Sequence, residues 1–406
     1  MKTVSILMSA ISGYGYYYLK TLIEEIPETV AKLCGVIDPE PARSGFYQDI
    51  IKKGIPIFLN INEFYSRGYS ADLVVISSPI QYHVSQSITA LENNSFVLCD
   101  KPAGATVQDV YNLIKKKNEV KKWVEIGYQW SFSDPIQSLK KDILSGIYGQ
   151  PVRLKSLCFW PRDYSYYERN DWAGKIKDEK GKWILDSPAN NAYSHFIHNM
   201  LFLLGENMSS SAVPESVIAE LYKAYDIENY DTVAARIITS DDVELLFYGS
   251  HITEKIRNPL FELNFEEATI FMDENSGEIT AKNKNGQVKN YGSPDDSHQF
   301  QKLYYAIDAV NKKKEVICGP EAAMAQTICI NGMQDSFPEI IKFSESMLSK
   351  EKNRIWVNGL GECLSDCYKK SILPSEGNFA WAKSGNIINL KNYVYFPEGK
   401  IKSSRE

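Results

Sequence analysis

The sequence predicts an α/β fold at its amino end, a doubly wound parallel sheet, followed by an α+β domain built on a large, mostly antiparallel sheet. Three observations carry this. Short apolar runs recur between Val4 and Cys99 and alternate with stretches of helical periodicity, the rhythm that builds parallel sheets. The first run opens into a turn of small residues before its helix. From Val217 the texture changes to period-two stretches broken by Asn and Gly turns, such as Thr232 to Ile238, Val243 to Ser250 and Leu260 to Phe265.

Val4-Ser5-Ile6-Leu7-Met8 reads as the first strand, and Leu19, Leu22, Ile23 and Ile26 as the apolar face of the helix after it. The G-x-G-x-x-G fingerprint expected between them is met only in part. Its three glycine places hold Ala10, Ser12 and Gly15, with Gly13 and Tyr14 between the last two. Small residues there let backbone amides approach a pyrophosphate over the helix N-terminus, and the Ser12 hydroxyl can donate to it. The plain alternative is a tight turn that binds nothing. Lys32 to Asp38 reads as a second strand ending in a carboxylate 23 residues after Gly15, the spacing of an acid that takes adenosine ribose hydroxyls. Asp38 favours NAD, while Arg43 keeps NADP as the alternative because an arginine nearby accommodates a ribose phosphate.

Ile55 to Phe58 and Asp72 to Ser77 read as the third and fourth strands. The fourth breaks at Ser77-Ser78-Pro79, a turn suited to lie against a nicotinamide ribose. His83 follows, entering a helix, where packing or capping competes with a role beside the cofactor. Phe96-Val97-Leu98-Cys99 is a buried-type strand that runs into Asp100-Lys101-Pro102. Pro102 biases Lys101 toward extended backbone at the strand's carboxyl end, where open α/β sheets bind ligands. A lysine there can aim its ammonium at a substrate oxygen, or merely close a strand at the surface.

Together these features resemble the glucose-fructose oxidoreductase, inositol dehydrogenase and MocA (Gfo/Idh/MocA) family, over most of the chain. The resemblance rests on the glycine-poor first turn, Asp38, the Ser77-Ser78-Pro79 break, Asp100-Lys101-Pro102 where the family usually has Glu-Lys-Pro, and Gly127-Tyr128-Gln129 after the sixth strand. It implies a Rossmann NAD(P)-binding domain over residues 1–130 and a substrate-binding and oligomerisation domain over 131–345. It also implies that the second domain's sheet is open-faced, with an outer face that forms homodimers or homotetramers. Residues 346–406 are then a carboxyl-terminal extension of unread role. By the same resemblance Lys101 contacts the reacting hydroxyl and the nicotinamide region. Trp130 departs from the arginines that relatives often carry after Tyr128 and Gln129.

The second half of the constellation runs from Asp186 to Gly205, helical from Ala192 and ended by the glycine. Asn191, His195 and His198 share one helical face by spacing. The family typically shows Asp, three residues, His, two residues, Asp here, so the resemblance makes His195 the acid/base, with Asn191 in the place of the first acid and His198 in that of the second. Histidine titrates near working pH and can take a hydroxyl proton. An amide at Asn191 can orient a hydroxyl but cannot stabilise an imidazolium as a carboxylate would. An Asn191→Asp variant is therefore expected to keep or raise activity. Two histidines at i and i+3 admit a metal, but no third ligand stands at a suggestive spacing and no metal is expected.

Between the halves, Phe159 to Lys175 interleaves Trp160, Tyr164 and Trp172 with Arg162, Arg169 and Lys175. Flat rings pack on sugar C–H faces while cations bind hydroxyls or a carboxylate; a loop packed on a sheet or between subunits reads the same way.

Composition fits. A chain of 406 residues holds about two domains. A net charge of -6 gives no footprint for nucleic acid. Seven cysteines without a C-x-x-C pair argue for free thiols, a reducing compartment and a cytoplasmic protein. The amino terminus does not read as a signal peptide and no apolar run approaches transmembrane length, so no membrane is expected as partner. The expected activity is hydride transfer between a nicotinamide and a sugar, sugar acid or cyclic polyol. Its rivals are NAD-assisted glycoside cleavage or epimerisation with retained cofactor, and a ligand sensor that has lost catalysis.

Overall fold

The computed structural model describes residues 2–398. The chain forms two compact units. The first comprises residues up to Gly104, Gln108–Phe132 and His298–Met324; the second comprises Ala105–Val107, Ser133–Ser297 and the chain from Ala325 onward. These boundaries differ from the expected 1–130, 131–345 and 346–406. A segment far down the chain joins the first unit, and residues after 345 are part of the second rather than an appendage.

In the first unit β1 (Val4–Ser9), β2 (Ala31–Ile37), β3 (Ile57–Phe58), β4 (Leu73–Ile76), β5 (Phe96–Cys99) and β6 (Val124–Ile126) form a parallel sheet in the order β3-β2-β1-β4-β5-β6. The strands read as continuous apolar runs because both faces are covered. Ile6, Met8, Val75 and Leu98 point to one side, against Leu19 and Leu22 and against Leu303 and Ile307 of the helix Gln301–Val310. Leu7, Val74, Ile76, Val97 and Cys99 point to the other, against Val110 and Leu113 of the helix Val107–Val120. The strand order reverses between β1 and β4, so the ligand crevice of such a sheet lies at their carboxyl ends.

The second unit carries a ten-stranded mixed sheet. Its strands are β7 (Pro151–Phe159), β8 (Pro214–Lys223), β9 (Thr232–Thr239), β10 (Glu244–Ser250), β11 (Arg257–Phe265), β12 (Ala268–Met272), β13 (Ile279–Asn283), β14 (Val288–Gly292), β15 (Ile341–Lys342) and β18 (Ile388–Asn389). The order is β14-β13-β12-β11-β7-β10-β9-β8-β15, with β18 on β8. Only the β7–β10 and β8–β15 pairs are parallel. Between β15 and β18, β16 (Leu348–Lys350) and β17 (Ile355–Val357) make a separate hairpin.

The expected open face is closed over the central strands. Leu157, Phe159, Tyr222, Leu246 and Tyr248 pack against Leu360, Leu364, Cys367 and Tyr368 of the helix Leu360–Lys370. On the opposite face Phe247 and Gly249 of β10 meet Tyr193. Residues after 345 thus occupy the surface through which an oligomer was expected to form.

No helix among the described residues is long and apolar enough to cross a membrane. The seven cysteines are free thiols.

Candidate active site

The first turn folds into a cradle that the sequence only half announced. Ala10 takes a left-handed φ of 64°, the conformation a glycine would adopt at no steric cost. Gly13 is left-handed as well, with φ 57°. A Cβ on Gly15 would lie 2.2 Å from the Ala10 carbonyl oxygen, so that position admits only glycine. Asp38 is buried just after β2, and its carboxylate accepts from Ile11 N–H at 3.0 Å and Glu40 N–H at 2.8 Å. It therefore pins the turn from below while each oxygen keeps acceptor capacity. Arg43 pairs with Glu40 at 2.5 Å and its side chain is largely exposed. Its charge is already partnered, which argues against a ribose phosphate there.

Ser12 Oγ and Ser77 Oγ are buried without hydrogen-bond partners. Ser77 sits beside this turn, its Cβ 3.5 Å from where a Gly15 side chain would stand. Two orphaned hydroxyls in a pocket that excludes side chains are what a nucleotide would satisfy, and the residues fit NAD. Ser78 is otherwise engaged, its hydroxyl donating to Gln86 at 2.8 Å. Pro79 precedes the helix Ile80–Glu92.

His83 spans two loops. It is buried, with Nδ1 2.8 Å from the Pro102 carbonyl oxygen and Nε2 2.7 Å from that of Ser78. Burial lowers its pKa, and a neutral ring donates to one carbonyl at a time. The ring braces the loop after β4 against the loop after β5, which bears Lys101.

Asp100 reveals a partner that sequence reading missed. Lys302, on the helix Gln301–Val310, is almost fully buried and donates to Asp100 Oδ1 at 2.9 Å and to the Gly127 carbonyl at 3.0 Å. Burial opposes its charge, but Asp100 and Tyr14 outweigh it and the Lys302 pKa is raised. Tyr14 joins this group, its hydroxyl 3.4 Å from Lys302 Nζ and 3.3 Å from Gln129 Oε1. Gly127 must be small, since a Cβ would meet Asp100 Oδ1 at 2.9 Å. Asp100 thus has its own cation in Lys302. The one available signal was a lysine adjoining the apolar stripe Leu303, Ala306, Ile307. Tyr128 is buried in the core of this unit.

In the second unit the helix runs Ser194–Leu203, so Asn191 lies in the turn before it and not on its face. His195 is half-buried on the first turn. Asn191 donates its amide to Asp186 Oδ1 at 2.8 Å. Asp186 is buried, also accepts from Gly174 N–H at 2.7 Å, and lies 3.6 Å from Arg169. An acid five residues upstream thus holds the amide at position 191. His198 is buried and stacked on Phe202, and burial together with nearby Lys140 pushes its pKa down to about 3, so the ring is neutral.

The expected substrate residues separate into two groups. Tyr164 and Lys175 line a cavity of about 350 Å³ together with Glu168, Asp226 and Glu228. Arg162 and Arg169 instead lie over the Tyr166 ring. Trp172 lies under Arg169, and Trp160 packs on Phe196. Among the described residues no group of three or more His, Cys, Asp or Glu side chains could hold a metal.

Comparison with known proteins agrees with this geometry. Residues 7–128 match the family described as an oxidoreductase family with an NAD-binding Rossmann fold, GFO_IDH_MocA. The chain is 26% identical over 211 residues to a 2,7-anhydro-N-acetylneuraminate hydratase of Mediterraneibacter gnavus, covering 50% of each chain. It is 30% identical over 82 residues to an inositol 2-dehydrogenase of Salmonella typhimurium, covering 20% of this chain and 24% of that one. The matches to the first curated relatives span between 32% and 50% of those proteins' length. Among solved structures, the WlbA dehydrogenase from Bordetella pertussis in complex with NADH and UDP-GlcNAcA superposes with a TM-score of 0.67 at 18% identity, over 83% of this chain and 97% of that one, which establishes a shared fold. With its cradle and its matched residues, the Rossmann unit of this chain is similar to that of the Gfo/Idh/MocA oxidoreductase family.

Proposed function

We propose that this protein is an NAD-dependent oxidoreductase acting on a hydroxyl of a sugar, sugar acid or cyclic polyol. The observation that carries the reading is the cradle around Gly15, where Ser12 and Ser77 present buried hydroxyls without partners above a carboxylate, Asp38, suited to ribose. NAD, when bound, supplies the hydride acceptor. The chain's own residues do the rest. Lys101 holds the reacting oxygen and lowers its pKa, while Lys302 fixes the neighbouring Asp100. His195 takes the hydroxyl proton. Asn191, fixed by Asp186, orients the substrate or the ring beside it. Asp38 and the partnered state of Arg43 favour NAD over NADP.

A second reading is favoured by the hydratase names of two relatives, at 25% and 26% identity. Hydration involves no net redox change, so an enzyme of that kind that uses NAD would have to return to its substrate the hydride it first removes, with the cofactor retained.

The test is absorbance at 340 nm with NAD across aldoses, uronates and inositols, after assay of cofactor carried through purification. Steady NADH formation supports the dehydrogenase. Retained NAD with substrate consumed and no net NADH supports the second reading, and absence of NAD binding refutes both. Lys101→Ala is expected to lower kcat by about 10²–10⁴-fold, the span of a positioned acid–base group, with NAD affinity little changed.

A further inference from the structure

Three side chains of the second unit close on one aromatic ring. The guanidinium carbons of Arg169 and Arg162 stand 3.9 Å and 4.6 Å from the centre of the Tyr166 ring, and the His251 ring centre lies 5.3 Å from it. His251 follows β10 and Arg162 follows β7, which pairs with β10 up to Ser250 and Phe159, so the strand register leads the two chains out side by side. The Arg162 N–H donates to the His251 carbonyl at 2.9 Å.

Their charges are not balanced alike. Arg169 has Asp186 at 3.6 Å. Arg162 forms no ion pair among the described residues, and its Nε is buried without an acceptor. The acid beside it, Asp163, caps the helix Tyr164–Glu168, accepting from Tyr166 N–H at 3.1 Å and Ser165 Oγ at 2.7 Å; it feels the Arg162 charge but makes no ion pair with it. His251 is 1% exposed; its Nδ1 is 3.1 Å from the Tyr167 hydroxyl, and its Nε2 is buried without a partner. In the tautomer that accepts from Tyr167 at Nδ1, the neutral ring carries its proton on Nε2 and presents a second donor. Burial and both arginines hold the ring neutral. A buried donor without an acceptor is costly unless something accepts from it. A water can satisfy a donor but does not neutralise a guanidinium, whereas an anionic oxygen group does both.

We infer that Arg162 and His251, on the platform of Tyr166, form an anion-binding subsite that selects substrates bearing a carboxylate or phosphoryl group. The inference rests on the sugar-type reading above and narrows it to acidic sugars. The cavity lined by Tyr164 and Lys175 does not compete for the anion, because Glu168, Asp226 and Glu228 rim it.

The experiment compares D-glucose, D-glucuronate and D-glucose 6-phosphate as ligands of the full chain by thermal shift and calorimetry, with NAD affinity measured in parallel. One of the two anionic sugars should bind at least tenfold more tightly than glucose, and which one does so identifies carboxylate or phosphoryl as the group recognised. Arg162→Gln should erase that preference while NAD affinity stays within twofold, and Arg162→Lys should restore part of it. A wild type without preference for either anion overturns the inference, as does a folded Arg162→Gln protein that keeps the preference. Should Arg162→Gln fail to fold, the wild-type comparison and Arg162→Lys still decide. Preference without NAD binding would sink the oxidoreductase reading alone; NAD binding without preference would sink the subsite alone.

Discussion

At the scale of single residues the most instructive position is Asn191. From sequence, an amide where relatives carry an acid is a defect, and restoring Asp is expected to help. In the fold the amide donates to buried Asp186 at 2.8 Å. A carboxylate at 191 would face another carboxylate at hydrogen-bond distance with no proton between them, and one of the two would be forced to bind a proton. Asn191→Asp should therefore lower stability by about 1–3 kcal/mol at pH 8, the range for breaking a buried hydrogen bond, and lower turnover with it. The loss should shrink as pH falls and the pair takes up a proton. Denaturation midpoints at pH 5 and 8 read this directly, and a variant as stable as wild type at pH 8 would contradict the pairing. Asp186 was legible only as a residue before a proline-led turn, because nothing in linear spacing says that a loop acid folds back on an amide. The same holds for Lys302 and Asp100, some 200 residues apart. The positions of Lys101, His195, Asp38 and Gly15 were legible because strand ends and helix starts are local.

At the scale of elements, the parallel strands of the first unit were readable to within a residue or two, since each is a short apolar run between turns. The helix Gln301–Val310 was not assigned to that unit, because its apolar stripe shows that it buries a face but not which sheet receives it. The chain beyond 345 was unreadable for a related reason: its helix Leu360–Lys370 is amphipathic, and only the fold shows that its partner is β7–β10. Polar ties reinforce the packing. Arg236 of β9 holds Glu376 through two bonds of 2.6 and 2.8 Å and Glu244 through a third of 2.7 Å, and the Tyr248 hydroxyl donates to the Ile372 carbonyl at 2.8 Å. Truncation after Ser344 should expose Leu157, Tyr222, Leu246 and Tyr248 together and yield insoluble protein. Arg236→Ala, which loosens the same segment without removing it, should cost about 1–2 kcal/mol, a charged hydrogen-bond value discounted for partial exposure. A soluble, NAD-binding truncated chain with unchanged melting would show that the segment is an appendage after all.

At the scale of the whole molecule, one buried acid in each unit sets how stability follows pH. Glu125 of β6 is fully buried; burial pushes its pKa up to about 8, with Ile317 N–H donating to one oxygen at 2.9 Å and the other oxygen unpartnered. Asp231 is equally buried, and burial raises it to about 7 against the opposing pull of the Ala224 and Tyr225 amides at 2.8 and 3.0 Å. Unfolded, both acids titrate near 4. The folded chain therefore binds these protons more tightly than the unfolded one. The stability they contribute is fully present below about pH 4 and is lost as pH rises through about 7 in the second unit and about 8 in the first. Carboxylates whose pKa is lowered by cations oppose this at the acid end, among them Asp72 beside Lys2 and Glu376 beside Arg236, so stability should peak on the acid side of neutral and fall toward pH 9. At roughly 1.4 kcal/mol for each tenfold gain in proton affinity on folding, the decline is on the order of a few kcal/mol. Glu125→Gln and Asp231→Asn keep the acceptor oxygen each site uses and remove the charge. Each should leave stability at pH 5 nearly unchanged and raise it at pH 9, flattening the curve, and the double variant should flatten it further. Urea midpoints at pH 5, 7 and 9 measure this, and a wild-type midpoint that holds constant or climbs between pH 5 and 9 would mean that neither acid is buried as a protonated group.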